Sequence, residues 1–323
     1  MNKEVIKMDM YQKRKIRAEK KNNDSQKSFS KVPISWFPGH MAKTRRQITE
    51  DLKMIDVVVE ILDARIPNSS QNPDIRQITQ NKKKIIILNK YDLADNAKTE
   101  KWIEYFNKKE RKVVLADSLT GKGVNETTRQ IQKIMEDEMQ KMADKGRIGR
   151  KIRTMIVGIP NVGKSSFINR ISKKTSAEVG NKPGVTKQKQ WIRINEKIEL
   201  LDTPGVLWPK FESQKVAMNL AITGTIKDDI LDLVEVAYTL TKFMLENYKE
   251  NLLQRYSLEE KKIDEILQQD QAENENIYEI MQLIGRRRGA ILGGNIDDER
   301  TAKLILDDFR SGKLGKITLE IPE

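Results

Sequence analysis

The stretch VGIPNVGKSS (Val157–Ser166) decides the reading of this chain. Gly158, four residues, then Gly163-Lys164-Ser165 is the spacing of a phosphate-binding loop. An apolar β-branched run, TMIVGIP (154–160), leads into it, and a helix-like segment, KSSFINRIS (164–172), leads out. Glycine lets backbone N–H groups curl around phosphates, and the helix N-terminus adds positive potential. In such a loop Lys164 reaches the β- and γ-phosphates and Ser165 holds a Mg²⁺ ion. A loop of this kind normally opens its domain, yet here it stands midway along 323 residues.

Working outward, short apolar runs alternate with helix-length segments. VVVEILDA (57–64), IIILNK (85–90) and VVLADS (113–118) predict buried strands, as do KQWIRI (189–194) and KIELLD (197–202). Between them NAKTEKWIEYFNKKE (96–110) and VNETTRQIQKIMEDEMQKMA (124–143) have helical length. The second sets Val124, Thr128, Ile131, Met135 and Met139 three and four residues apart, a buried stripe. This alternation predicts an α/β fold, a doubly wound parallel sheet. After about residue 210 the strands are expected to stop and a charged, mostly helical domain to begin. The expected divisions are a disordered basic arm (1–31), a nucleotide-binding domain (32–210) and a helical domain (211–323).

A nucleotide base needs its own reader. NKYD (89–92) closes the strand IIILNK, at the carboxyl end where open α/β sheets bind ligands. Asp92 there can accept two hydrogen bonds, from N1–H and the exocyclic amine of guanine, a pair that adenine does not offer. With the phosphate loop, this points to GTP. DTPG (202–205) ends another strand, where Asp202 could hold Mg²⁺ through water and the Gly205 N–H could meet the γ-phosphate. NKPGVT (181–186) offers Thr186 as a second hydroxyl for the metal, and DSLTGKG (117–123) could brace the base with Asp117 and Ser118. The nucleotide candidates are thus Asn89, Lys90, Tyr91 and Asp92 in one loop and Asn161, Val162, Gly163, Lys164, Ser165 and Ser166 in another, with Asp117, Ser118 and Gly205.

Composition adds a partner class. Lys plus Arg number 60 against 47 Asp plus Glu, a net charge of +13. Such an excess suits a polyanion. The first 31 residues carry ten basic and four acidic side chains, and Arg286, Arg287 and Arg288 sit together in IGRRRGAILGG, suited to phosphate contact and base stacking. KGRIGRKIR (145–153) is a further basic run just before the phosphate-loop strand, placed to feel both RNA and nucleotide. There is no cysteine, hence no disulfide framework or thiolate metal site. No apolar run approaches a membrane span, and the start MNKEVIKMDM builds no signal-peptide core, so a cytoplasmic monomer is expected.

The order of these motifs is unusual. Most TRAFAC-type GTPases run phosphate loop, switch threonine, D-x-x-G, N-K-x-D and base-bracing loop. Here N-K-x-D and the bracing loop come first, so the chain resembles a circularly permuted member of that group. WFPGHMAKT (36–44), DARIPNSSQNP (63–73), GIPNVGKSS (158–166), DTPGVLWPK (202–210), GRRRGAILGG (285–294) and DFRSGKLGKITLE (308–320) resemble the YlqF/RbgA family of ribosome biogenesis GTPases. The resemblance covers about residues 32 to 321. It implies GTP hydrolysis in late assembly of the large ribosomal subunit, stimulated by the particle. It also implies a potassium-aided site, with Asn161 as ligand. Val206 follows D-x-x-G where familiar GTPases carry a water-orienting glutamine. His40, the only histidine, can orient or deprotonate water, and the resemblance carries this position as the catalytic group. It is expected on a loop ahead of the helix MAKTRRQITEDLKMI. A second reading stays open: a regulatory GTPase with a protein partner, its basicity incidental.

Overall fold

The computed structural model describes residues 38–147, 149–176, 191–202, 213–269 and 273–322. The apolar runs form β1 (Val57–Asp63), β2 (Lys83–Asn89), β3 (Lys112–Ala116), β4 (Ile152–Val157), β5 (Trp191–Arg193) and β6 (Ile198–Asp202). They lie side by side in the order β3-β2-β1-β4-β6-β5. Every residue of β1 is buried, as expected of a central strand covered on both faces. The sheet is parallel except at one edge, where the expectation is corrected: β5 runs antiparallel to β6, Trp191 opposite Leu201. Only residues 194–197 separate these strands, too few for a crossover. The Asn195 side chain instead accepts from Lys197 N and Ile198 N to close a hairpin.

Helices α1 (Pro38–Leu52), α2 (Pro73–Ile78) and α3 (Asn96–Lys108) cover one face. Ile48, Leu52 and Ile75 pack on Val58 and Val157, and Trp102 and Phe106 on Leu62 and Leu88. Asn72 and Asp95 cap α2 and α3 through their side chains. On the other face lie α4 (Val124–Asp144) and α5 (Lys164–Ser176), packed on Val59, Ile61 and Ile87. The stripe on α4 runs through Val124, Thr127, Ile131 and Met135. Thr128 and Met139 are only half-buried, because the helical period carries the face through Thr127. The walk from β1 through β2 to β3 goes one way and that from β4 to β6 the other, so the crevice between β1 and β4 is the topological switch point.

The second half is built from α6 (Gln214–Ile222), α7 (Leu233–Asn247), α8 (Lys249–Tyr256), α9 (Glu260–Leu267), α10 (Glu273–Arg287) and α11 (Asp298–Arg310). Its Leu240, Ile284, Ile305 and Phe309 join the apolar side chains beneath the sheet in one cluster. Strands do not stop at residue 210: β7 (Ile291–Leu292) and β8 (Asn295–Ile296) make a small hairpin across Gly293-Gly294. Its two-residue glycine loop is the hairpin signal that the neighbouring arginines overshadowed. No described helix is long and apolar enough to cross a membrane.

The last described residues return to the sheet domain. Ile317 N donates to Leu93 O, and Leu319 N to Arg65 O. Asp95 N donates to Thr318 Oγ1 at 3.1 Å, and Tyr248 Oη donates to Asp95 Oδ2 at 3.0 Å. Glu320 is buried, which pushes its carboxyl up although Ser69 Oγ (2.6 Å), Ser69 N (2.8 Å), Asn68 N and the Asn219 amide (3.1 Å) all donate to it. Trp102 Nε1 donates to Glu320 O at 3.1 Å.

Candidate nucleotide-binding site

The phosphate-loop sequence occupies the turn from β4 into α5, beside the switch point. Two of its residues have left-handed backbone, Asn161 (φ 62°) and Gly163 (φ 92°). At Gly163 a side chain is strained and crowded: a Cβ would fall 2.2 Å from Asn89 Nδ2, so Asn89 would have to shift. Lys164 is 9% exposed in the first turn of α5, and Ser165 and Ser166 are exposed beside it.

Asn89 ends β2 and joins this loop to the base loop. Its Nδ2 donates to Val162 O at 2.6 Å, while its Oδ1 accepts from Ser118 Oγ at 2.8 Å and Ser118 N at 3.1 Å. Lys90, also left-handed (φ 57°), reaches the other way, donating to Asn161 O at 2.7 Å and Asp63 Oδ2 at 2.9 Å. Asn89 and Lys90 therefore brace loops, and Asp92 is the member of NKYD left exposed to a ligand. Partial burial, and then the nearby charge of Asp117, push the Asp92 carboxyl up. Asp117 is itself tied down, accepting from Leu119 N at 2.8 Å and Thr120 Oγ1 at 2.5 Å. Tyr91 lies under Lys122, whose Nζ stands 4.7 Å from the ring centre.

Asp63, at the end of β1, has no role in the sequence reading and proves central. It is buried and takes a bidentate pair from Arg65 (Nε 3.0 Å, Nη2 2.8 Å) besides Lys90. Burial alone would raise its carboxyl, but the two cations and their hydrogen bonds together hold it well below the usual range. Its signal was a charged residue closing an otherwise apolar strand, in the DARIP motif. Arg65 also lies over the Phe309 ring, 5.1 Å away, linking α11 to this cluster.

The remaining candidates divide. Asp202 ends β6, in register with Ile156 of β4, so it reaches the same sheet edge as the phosphate loop. Its side chain, Thr186, Gly205 and Val206 lie outside the described residues. Among the described residues no three His, Cys, Asp or Glu side chains converge. Two hydroxyls and a carboxylate acting through water, the set the sequence offers, suit Mg²⁺, which keeps waters and takes its other ligands from phosphates. His40 is corrected from loop to helix: α1 begins at Pro38, whose missing N–H costs nothing in a first turn. Its side chain lies outside the described residues. Arg286 and Arg287 end α10, and Arg288 follows, all exposed. Arg288 donates to Arg255 O at 3.0 Å and covers the Tyr256 ring, and Arg287 faces Glu259 at 3.9 Å. The basic run 145–153 lies away from the phosphate loop. It enters β4 at the end opposite the phosphate loop, about 17 Å away at 3.3 Å per residue. Arg150 there pairs with Asp56 and Lys151 with Glu199, while Arg153 stacks on Trp191.

Over most of its length the chain is similar to known GTPases. A family model described as 50S ribosome-binding GTPase matches residues 153–278, downstream of NKYD. Ribosome biogenesis GTPase A of Bacillus cereus is 47% identical, over 90% of this chain and 94% of that one. Its counterpart from Priestia megaterium is 45% identical, over 90% and 98%. The crystal structure of GNP-bound YlqF from T. maritima superposes with a TM-score of 0.57 at 26% identity, covering 87% of this chain and 99% of that one. With its base motif ahead of its phosphate loop, the chain belongs to the circularly permuted ribosome biogenesis GTPase A family.

Proposed function

We propose that this chain binds the precursor of the large ribosomal subunit and hydrolyses GTP to GDP as a switch in late assembly. The observation that carries the nucleotide site is the Asn89 clamp, which sets the phosphate loop and the base loop at a fixed separation beside the switch point. Lys164 neutralises charge on the β- and γ-phosphates, with N–H groups of residues 161–166 cradling them. Asp92 accepts from guanine, Tyr91 and Ser118 flank it, and Gly205 meets the γ-phosphate. Ser165, Thr186 and, through water, Asp202 would hold Mg²⁺, which would supply charge neutralisation at the phosphates. With the Asn161 amide nitrogen donating to Gly224 O, its oxygen is the group remaining for K⁺. His40 orients the attacking water, since Val206 has no polar group to do so. Arg286, Arg287 and Arg288 in the helical domain (211–323), together with the basic arm (1–31), supply contacts to RNA. The permuted GTPase domain spans 32–210, and the protein works as a monomer in the cytoplasm.

The test is GTP turnover with and without large-subunit particles, alongside co-sedimentation in non-hydrolysable GTP analogue and in GDP. Particles are expected to raise turnover strongly, and the analogue to favour co-sedimentation. His40→Ala is expected to abolish the rise with GTP affinity retained. Absence of both particle binding and stimulation would return the protein-partner reading.

A further inference from the structure

The motif DFRSGKLGKITLE contains a residue that the nucleotide reading leaves unused, Arg310, the last of α11. Its guanidinium is a junction. Nε donates to Ile222 O at 3.0 Å and Nη2 to Ala221 O at 2.9 Å, two carbonyls at the end of α6. Nη1 and Nη2 also grip Asp228 at 2.9 and 2.8 Å, and these bonds and the Arg310 charge hold that carboxyl below its usual value despite partial burial. Between the two anchors lies Gly224, with φ 74°, where an added Cβ would stand 3.2 Å from Arg310 Nε. The turn is therefore moulded against the guanidinium.

Gly224 faces the phosphate loop. Its carbonyl accepts from Asn161 Nδ2 at 2.7 Å. Asn161 is the loop's strained residue, and Lys90 holds its own carbonyl from the opposite side. A left-handed asparagine is retained where surrounding bonds over-determine it, and here one of those bonds comes from the helical half. Helix α11 packs along both α7 and α10, and α10 ends in the exposed arginines. It spans about 20 Å at 1.5 Å per residue.

We propose that Arg310 is a positioning residue for the phosphate loop: it fixes the 221–228 turn so that Gly224 O holds Asn161, and movement of α11 reaches the nucleotide through it. This rests on the phosphate-loop reading of Gly158–Ser165. It differs from a merely structural role, in which Arg310 only staples α6 to α11. Arg255 provides the comparison. It makes an equally bidentate pair with Asp308 of α11, at 2.9 and 2.8 Å, and none of its described contacts touches the 221–228 turn.

The experiment measures release of a fluorescent GDP analogue from the full chain, with melting temperatures in parallel. Loss of one hydrogen bond corresponds to about a fivefold change. Arg310→Gln and Asn161→Ala are each expected to speed release by about that factor, and Arg310→Lys, the milder variant, by less. Arg255→Gln is expected to lower the melting temperature and leave release within twofold. In an Asn161→Ala background, Arg310→Gln is expected to add nothing. Release as slow as the parent's in Arg310→Gln, full additivity with Asn161→Ala, or equal acceleration by Arg255→Gln each overturns the inference alone. A parent that fails to bind the GDP analogue overturns the phosphate-loop reading with it.

Discussion

Replacing Asn89 with alanine tests whether the two nucleotide loops are held to each other. The side chain is buried and makes three hydrogen bonds, to Val162 O, Ser118 N and Ser118 Oγ. At about 1 kcal/mol net for each, alanine forfeits about 3 kcal/mol. The partners stranded by the change lie one on the phosphate loop and two on the base loop, so the loss falls on their relative placement. If all of it lowers the fraction of molecules set to receive nucleotide, affinity drops by at most about a hundredfold, at about 1.4 kcal/mol per decade. We expect GTP and GDP to weaken equally, by roughly ten- to a hundredfold, because neither contact senses a third phosphate. Selectivity against ATP should persist, since Asp92 is untouched. Fluorescent-nucleotide titration of the variant, with melting curves beside it, reads both quantities. An Asn89→Ala protein that melts earlier yet binds GTP and GDP within twofold of the parent would refute the clamp.

In the proposed site Asp92 accepts from guanine as a carboxylate, and its carboxyl is raised, so GTP affinity should begin to fall on acidification above the ordinary aspartate range. Asp117→Asn removes one cause of that rise and should move the fall to lower pH in binding titrations. Asp92→Asn should shift preference towards xanthosine nucleotides, which competition binding reads directly. Asp63 titrates below its unfolded value; its stabilisation is present above about pH 3.9 and is lost as pH falls through that value towards the depressed one. Asp63→Asn, which leaves Arg65 buried without its bidentate partner, should cost about 3–5 kcal/mol in denaturant unfolding at pH 7 and flatten stability below about pH 4. Changing Arg286, Arg287 and Arg288 together to alanine should weaken particle binding and reduce its salt dependence in co-sedimentation, with unstimulated turnover unaltered.

The strands and the ends at which motifs sit were legible because each is written locally: a β-branched run, then a glycine or an N-K-x-D. The antiparallel β5 was legible too, in hindsight, from the four-residue gap before β6. What escaped was pairing over long separations. Asn89 and Lys90 read as nucleotide contacts, and the structure adds a bracing role, with partners Val162 and Asn161 more than seventy residues on. No periodicity in either stretch encodes that. Asp63 was overlooked because a carboxylate closing an apolar strand has meaning only once Arg65 and Lys90 are beside it. The basic run 145–153 misled because proximity in sequence was taken for proximity in space, and a strand carries its two ends to opposite edges of the sheet. Pro38 could have moved the start of α1 to include His40, for proline in a first turn is a helix-start signal.

The return of residues 316–320 to the sheet domain has a consequence in time. Ser69, Asp95 and Trp102 meet partners separated from them by 251, 223 and 218 residues. Closing so long a loop costs little more free energy than closing a shorter one, because the penalty grows only logarithmically. Waiting for it is another matter. At roughly 5–20 residues per second, a ribosome needs about ten to fifty seconds to make the stretch between them. During that interval the loop after Asp92 exists without the segment that props Leu93 and Asp95. The permuted order thus delivers the NKYD loop early and its support late. A nascent chain of this design does not have a fully braced loop after NKYD until its helical half has been synthesised.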